Sequence, residues 1–337
     1  MILAAAIVLV AVFETASQSL QIAIVDFYGL RRVSPAQARS ALTIKEGDTV
    51  VIDGDARQAF AIESERRLAR LPGVLSAHVS LVCCDEGRAI VYVGVEESGS
   101  PVRRFREAPR GRVRLAGDVV RAGRDFSEAF MAAVQRGDAA EDDSSGHSLM
   151  HDPAARRIQE RFIEYARDLR PLRDVLRHSS DAGHRALAAQ ILGYARNKRD
   201  VIDDLAHAMT DPSDDVRNDA MRALAVIARA TSTARQRLPI PIEPFVGLLD
   251  SPVWTDRNKA SLALMSLSER RDPALLTTLR NRALGPLVEM ARWQSRGHAM
   301  PALLILGRIA GQSDAEVEAA WTRGDRDAVI DAALKRQ

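Results

Sequence analysis

Four segments in the second half of the chain repeat one pattern: an arginine, an alanine three residues on, a leucine seven on and an apolar residue ten on. They are Arg185, Ala188, Leu192 and Ala195; Arg217, Ala220, Leu224 and Ile227; Arg257, Ala260, Leu264 and Leu267; and Arg296, Ala299, Leu303 and Leu306. Steps of three, four and three follow one face of an α-helix. A shorter apolar stretch precedes each segment: Leu172–Leu176, Leu205–Met209, Phe245–Leu249 and Leu284–Val288. Three of the connections are polar turns, Ser179-Ser180-Asp181, Asp211-Pro212-Ser213-Asp214-Asp215 and Asp250-Ser251-Pro252. The fourth, Trp293-Gln294-Ser295, departs from that type. Alanine lets the paired helices approach closely and leucine fills the space between them. The turn aspartate is expected to cap the incoming helix and to pair with arginine across the turn. One such pair cannot bury its own apolar face, so neighbours must stack.

The spacing of the arginines, about 32 to 40 residues, is that of HEAT-like units. The run from Leu205 through Asp211-Pro212 to Arg217 and Ala220 resembles a HEAT repeat of the phycobilisome-lyase-like type. Such repeats occur in enzymes that attach bilins and in many proteins that only bind, and nothing beyond the repeat favours a lyase. A longer connection, Thr231 to Pro244, carries Pro239, Pro241 and Pro244. Ser313-Asp314-Ala315-Glu316 is a capping box that opens a terminal helix ending near Lys335, expected to cap the array. Residues 166–337 therefore read as an all-α solenoid.

Residues 20–97 read as an α+β unit in the order β-α-α-β-β. Leu20 to Phe27 alternates, with Ile22, Ile24 and Asp26 assigned to one face and Ala23, Val25 and Phe27 to the other. Ser34-Pro35-Ala36-Gln37 is a helix start, and the helix runs to about Leu42. Gly47-Asp48 marks a turn, and a second helix is expected from Gly54 to Leu71, stopped by Pro72-Gly73. Val74–Cys83 and Arg88–Glu96 form a hairpin about Asp85-Glu86-Gly87. The expectation is a three-stranded sheet with two helices on one face. Leu42-Thr43-Ile44-Lys45-Glu46-Gly47-Asp48, Leu68-Ala69-Arg70-Leu71-Pro72-Gly73-Val74 and Val91-Tyr92-Val93-Gly94-Val95-Glu96-Glu97 resemble the corresponding stretches of a POTRA domain. The resemblance implies an exported docking or chaperone-like module, in which a peptide can add as an extra strand at the sheet edge.

Residues 1–17 read as a signal peptide. Ile2 to Phe13 is an apolar run shorter than the roughly 20 residues a bilayer span needs, and Thr15-Ala16-Ser17 supplies small residues for cleavage. No integral span is expected after cleavage, and the location is read as periplasmic or secreted. Residues 98–165 read as a charged linker with helical segments. Arg103, Arg104, Arg106, Arg110, Arg112 and Arg114 cluster there as a solvated stretch, with anionic partners as the alternative. Cys83 and Cys84 are adjacent, a spacing that suits neither zinc nor a redox motif and permits only a vicinal disulfide.

The chemistry is sparse. The formal net charge of +2 gives no global reason to expect nucleic acid. His147 and His151, followed by Asp152, have a possible metal spacing, but Gly146, Ser148 and Pro153 place them in a loop with no third ligand. Phosphate loops, nucleophile elbows and zincin motifs are missing. No catalytic, cofactor-binding or metal residue is assigned, and no cofactor is expected. Trp254, Trp293 and Trp321 lie at turns or the cap, as partner anchors or as packing between repeats. The expected function is a non-enzymatic scaffold or adaptor with protein partners, including envelope or outer-membrane proteins. An envelope-assembly or export factor is the alternative, and a bilin lyase-like or metal-dependent enzyme is the remote one.

Overall fold

A computed structural model describes residues 18–52, 59–85, 87–101, 103–231 and 238–335. The apolar run at 2–13, its cleavage site and the start of the second expected helix lie outside the described residues. The chain is an α+β unit followed by an α-solenoid. The first unit comprises β1 (Gln18–Tyr28), α1 (Pro35–Ala41), β2 (Thr49–Ile52), α2 (Ala59–Leu68), β3 (Val74–Asp85) and β4 (Arg88–Glu97). Its sheet has the order β2-β1-β4-β3, with β1 parallel to β4 and the other pairs antiparallel.

Two expectations are corrected here. The sheet has four strands rather than three, because Thr49–Ile52 turns back from Gly47-Asp48 and pairs with Gln18–Gln21. β-branched Thr49, Val50, Val51 and Ile52 suit a strand. The alternation of β1 is also interrupted. A bulge between Ile22 and Ile24 shifts the pairing with β4, so Ile22 shares a face with Val25 and Phe27. Ile24 and Tyr28 turn to the opposite face, where Asp26 is also buried.

Both faces of the sheet are covered. Ile22, Val25, Val79, Val91 and Val93 pack with Ala38, Ala41, Ala61 and Leu68 of α1 and α2. Ile24, Tyr28, Ile90 and Tyr92 belong to the core of the helical array. Strand β4 is therefore buried at every residue from Ala89 to Val95, which is why it reads as an unbroken apolar run. Glu97 at its end is fully buried and accepts N–H bonds from Arg31 (2.8 Å), Arg32 (2.8 Å) and Val33 (3.2 Å), which fixes the entry to α1. Burial opposes its ionisation, but the three donors outweigh that and hold its carboxyl below the usual range. Cys83, exposed near the end of β3, is disulfide-bonded, and the chain's other cysteine is Cys84.

Helix α3 (Gly117–Gln135), a small hairpin of β5 (Glu141–Asp142) and β6 (Leu149–Met150), and α4 (Pro153–Tyr165) lead into the repeats. These are α5 (Leu169–His178) with α6 (Ala182–Leu192), α7 (Ile202–Ala208) with α8 (Asp214–Thr231), α9 (Glu243–Leu248) with α10 (Trp254–Leu267), and α11 (Pro273–Ala291) with α12 (Arg296–Ala310). All four pairs fall where the repeat placed them. The cap is two helices rather than one, α13 (Asp314–Thr322) and α14 (Arg326–Lys335), because Gly324 turns the chain at φ 75°. The capping box of Ser313 and Glu316 opens the first of them.

The repeat arginines pair with acids of the next unit, not with the aspartate of their own turn. Arg185 grips Asp211 of the next unit through two bonds of 2.8 and 2.9 Å, and Arg217 grips Asp256 in the same way. Arg257 reaches Glu289 at 2.8 Å. Each also donates to a carbonyl of its own turn, at Ser179, Asp211 and Ser251 respectively. The three guanidiniums are 2% exposed, and Asp211 and Asp256 are fully buried. Arg296 of the fourth unit is exposed and takes no part. Breaking one partner of such a buried pair leaves the other uncompensated. Arg217→Ala is expected to cost about 3–5 kcal/mol in denaturant unfolding, and the paired change Arg217→Met with Asp256→Leu clearly less.

Candidate functional site

The surface along the repeat turns, where Trp254 and Trp293 lie, is covered in large part by the chain's own first half. Tyr92 lies 5.4 Å from Trp254, nearly parallel, and 4.8 Å from Trp293, and its hydroxyl meets His298 Nδ1 at 2.8 Å. Tyr28 donates to the Pro252 carbonyl at 2.8 Å, and Arg257 sits 4.5 Å over its ring. Asp26 accepts from the backbone and side chain of Gln294, at 2.8 and 3.1 Å. Two of the three tryptophans are thus anchors, but for the chain's own sheet. Trp321 is half-buried in the cap, with Arg326 5.4 Å over its ring. Stacked and tilted aromatic pairs add about 0.5–1.5 kcal/mol each beyond the area they bury.

The segment read as a solvated linker is partly bound. Arg103 pairs with Glu96 at 2.7 Å and donates to the Asp250 carbonyl at 3.0 Å. Arg106 bonds to Asp211, the acid that Arg185 also holds, and its backbone N–H reaches the Thr210 carbonyl at 2.8 Å. Phe105 lies over Arg217, 4.1 Å from the guanidinium. Gly111 pairs with Ser179, and Arg114 meets Asp181 at 3.3 Å. Arg104, Arg110 and Arg112 do point to solvent. Sequence composition could not separate these from Arg103 and Arg106, because the distinction is set largely by partners far along the chain, the Asp250 carbonyl and the Asp211 carboxylate. Between this segment and the first helices of the second and third pairs runs an open groove of about 970 Å³, lined by Phe105, Met209 and Val246 among others.

A second candidate site lies on the face formed by the second helices. The hairpin from Asp138 to Met150 crosses this face and leaves a cleft of about 370 Å³, lined by His147, Ser148, Tyr194, Asp219 and Arg222. Glu141 pairs with Arg222 and Asp143 with Arg229. His147 Nδ1 lies 3.2 Å from Lys198 Nζ, and its ring lies 5.5 Å from that of Tyr194. Burial and the Lys198 charge push the His147 ring down to about 4, so it is neutral at pH 7. Burial likewise lowers Lys198 and Lys259 to about 8, with Arg222 adding to the effect on Lys259. Burial pushes Asp219 up to about 7 against the opposing charges of Arg222 and Lys259.

The histidine pair singled out in the sequence is not brought together. His151 is exposed, and Asp152 caps α4 by accepting from the Ala154 and Ala155 N–H groups at 2.9 Å. Among the described residues no group of three His, Cys, Asp or Glu side chains is placed to hold a metal ion. Lys198, Asp219 and Lys259 carried no sequence signal beyond their place in the repeat: Asp219, Lys259 and His298 each stand two residues after a repeat arginine.

Residues 169–265 match the family model described as HEAT repeats, from α5 to near the end of α10. No curated protein matches the sequence. No helix among the described residues is long and apolar enough to cross a membrane.

Two outcomes follow from this geometry. A Cβ at Gly94 would lie 1.9 Å from the Pro252 oxygen and 2.6 Å from the Tyr28 ring. Gly94→Ala is therefore expected to lift the sheet from the turns, read as faster proteolytic cleavage at residues 98–101. Asp219 holds its proton more tightly folded than unfolded, so the folded state loses stability as pH rises from about 4 to about 7. Asp219→Asn should flatten thermal-melt midpoints across that range and raise them at pH 8.

Proposed function

We propose that this protein is an exported, non-enzymatic scaffold that binds other proteins, with a POTRA-like docking unit set on a HEAT-type array. HEAT repeats commonly serve as protein-interaction scaffolds, and the match over residues 169–265 supports that part of the reading. The observation that carries the docking role is the position of β3. It ends the sheet, and it pairs with β4 on one side only. With both faces of the sheet covered, its two edges are left, and β3, with 12 residues against the 4 of β2, is the longer seat for an extended peptide. Leu75 at its start is 66% exposed, which gives an incoming strand an apolar contact. One edge N–H, that of Val79, is held by Glu65 Oε1 at 2.7 Å, so the segment from Leu75 to Ala77 is the better seat.

The apolar run at 2–13 and the small residues at 15–17 support export, and the partners would then be proteins of the cell envelope. The full mature chain, used as bait on an envelope fraction, should retain a defined partner. Leu75→Lys, a charge on an edge strand, should lower that partner's affinity at least tenfold with no change in melting temperature. Equal affinity for both forms would remove the edge from the proposal. Retention of a β-barrel assembly or export-machine subunit would favour the envelope-assembly role over a general adaptor.

A further inference from the structure

The face formed by the second helices carries cations that the array itself does not answer. Arg222 and Arg229 lie on α8 and Lys259 on α10, whereas Lys198, in the turn before α7, is already held by the Gly193 carbonyl at 2.8 Å. The acid of the array that acts on Arg222 and Lys259, Asp219, is pushed up to about 7 by burial. The carboxylates that do meet the arginines come from outside the repeats, at Glu141 and Asp143 of the hairpin. Lys259 makes no ion pair or hydrogen bond among the described residues, although Glu141 and Asp219 are both close enough to act on its charge.

The hairpin is attached unevenly. Its second limb is rooted: Met150 is fully buried, its N–H donates to Gln159 at 2.7 Å, and Tyr194 donates to the Ser148 carbonyl at 2.9 Å. The first limb carries Glu141, Asp142 and Asp143 in sequence; it pairs with the second limb at Glu141–Met150 and Asp142–Leu149, Ser148 donates to Asp143 at 2.7 Å, and its direct ties to the second helices are two ion pairs. Arg222 and Arg229 keep 32% and 44% of their side chains exposed in those pairs. Ion pairs this open to water contribute about 0–1 kcal/mol each and weaken with salt.

We propose that Arg222, Arg229 and Lys259 form a docking surface for an acidic peptide segment of a partner protein, and that residues 138–145 cover it as an internal stand-in. The argument is charge complementarity seen in place: two acids one residue apart, Glu141 and Asp143, already pair with this row, and the same chemistry in another chain would fit it. A carboxylate closer to Lys259 would also offset, by its charge, the burial that lowers that amine. The tethered limb competes at an effective concentration on the order of millimolar, so free peptide binds the intact protein weakly. This surface is separate from the β3 edge, and the two can fail independently.

The test uses the full chain, the double variant Glu141→Gln/Asp143→Asn and a fluorescent peptide with the sequence of residues 139–144. At low salt the double variant should bind the peptide at least tenfold more tightly than the unaltered protein. Adding Arg222→Gln and Arg229→Gln should abolish the gain, and a peptide with Gln and Asn in place of its acids should not bind. Equal binding by the unaltered and double-variant proteins, or equal binding of the neutral peptide, would overturn the proposal. A second measurement needs no variant: excess acidic peptide should speed amide exchange at residues 139–145 of the unaltered protein at least fivefold. An unchanged exchange rate would overturn it as well.

Discussion

Each buried guanidinium of the array does two things at once, and the architecture depends on that. Arg185, Arg217 and Arg257 each tie their own turn to an acid of the next unit, which sets one repeat on another. Their outer surfaces, and the acids they hold, then receive the first half of the chain. Arg106 shares Asp211 with Arg185, Phe105 covers Arg217, and Tyr28 covers Arg257. Gly29 adds its N–H to Glu289, the acid that Arg257 holds. Arginine suits both tasks because its flat cation can fork to a carboxylate in its plane while an aromatic ring lies on its face. Lysine at these positions would keep the charge and lose the geometry.

The array and the sheet unit are therefore one packed body and not two modules on a string. Their shared core runs from Ile24, Tyr28, Ile90 and Tyr92 through the helices to Ile330. This changes how the surfaces are divided. The turn edge is largely taken within the chain. What remains is the outer edge of the sheet, the open groove beside Phe105, and the face crossed by the acidic hairpin.

The repeat was legible because it is local: helix spacing, turn aspartates and caps all act within about ten residues. The four helix pairs, the capping boxes at Ser34 and Ser313 and the hairpin of β3 and β4 all follow from such signals. The bulge in β1 was not, since the residues at 22–24 carry no glycine or proline to mark it. The docking of the sheet left a trace that was passed over. A strand reading Ala-Ile-Val-Tyr-Val-Gly-Val is apolar on both sides, which points to cover on both faces. The cleft residues were invisible for a different reason. A lysine two places after a repeat arginine looks like any solvated surface residue until another segment of the chain lies over it.

Repeat arrays usually tolerate gain or loss of a unit, because each contacts only its neighbours. Here the strap from Arg103 to Arg114 and the tyrosines of the sheet are seated on consecutive turns, at fixed distances along one continuous polypeptide. An inserted unit between Arg217 and Arg257 would carry the seat of Tyr28 away from that of Phe105 by a whole unit. The sheet and strap thus act as a ruler, and the number of units between the first turn and the fourth is fixed by what lies across them.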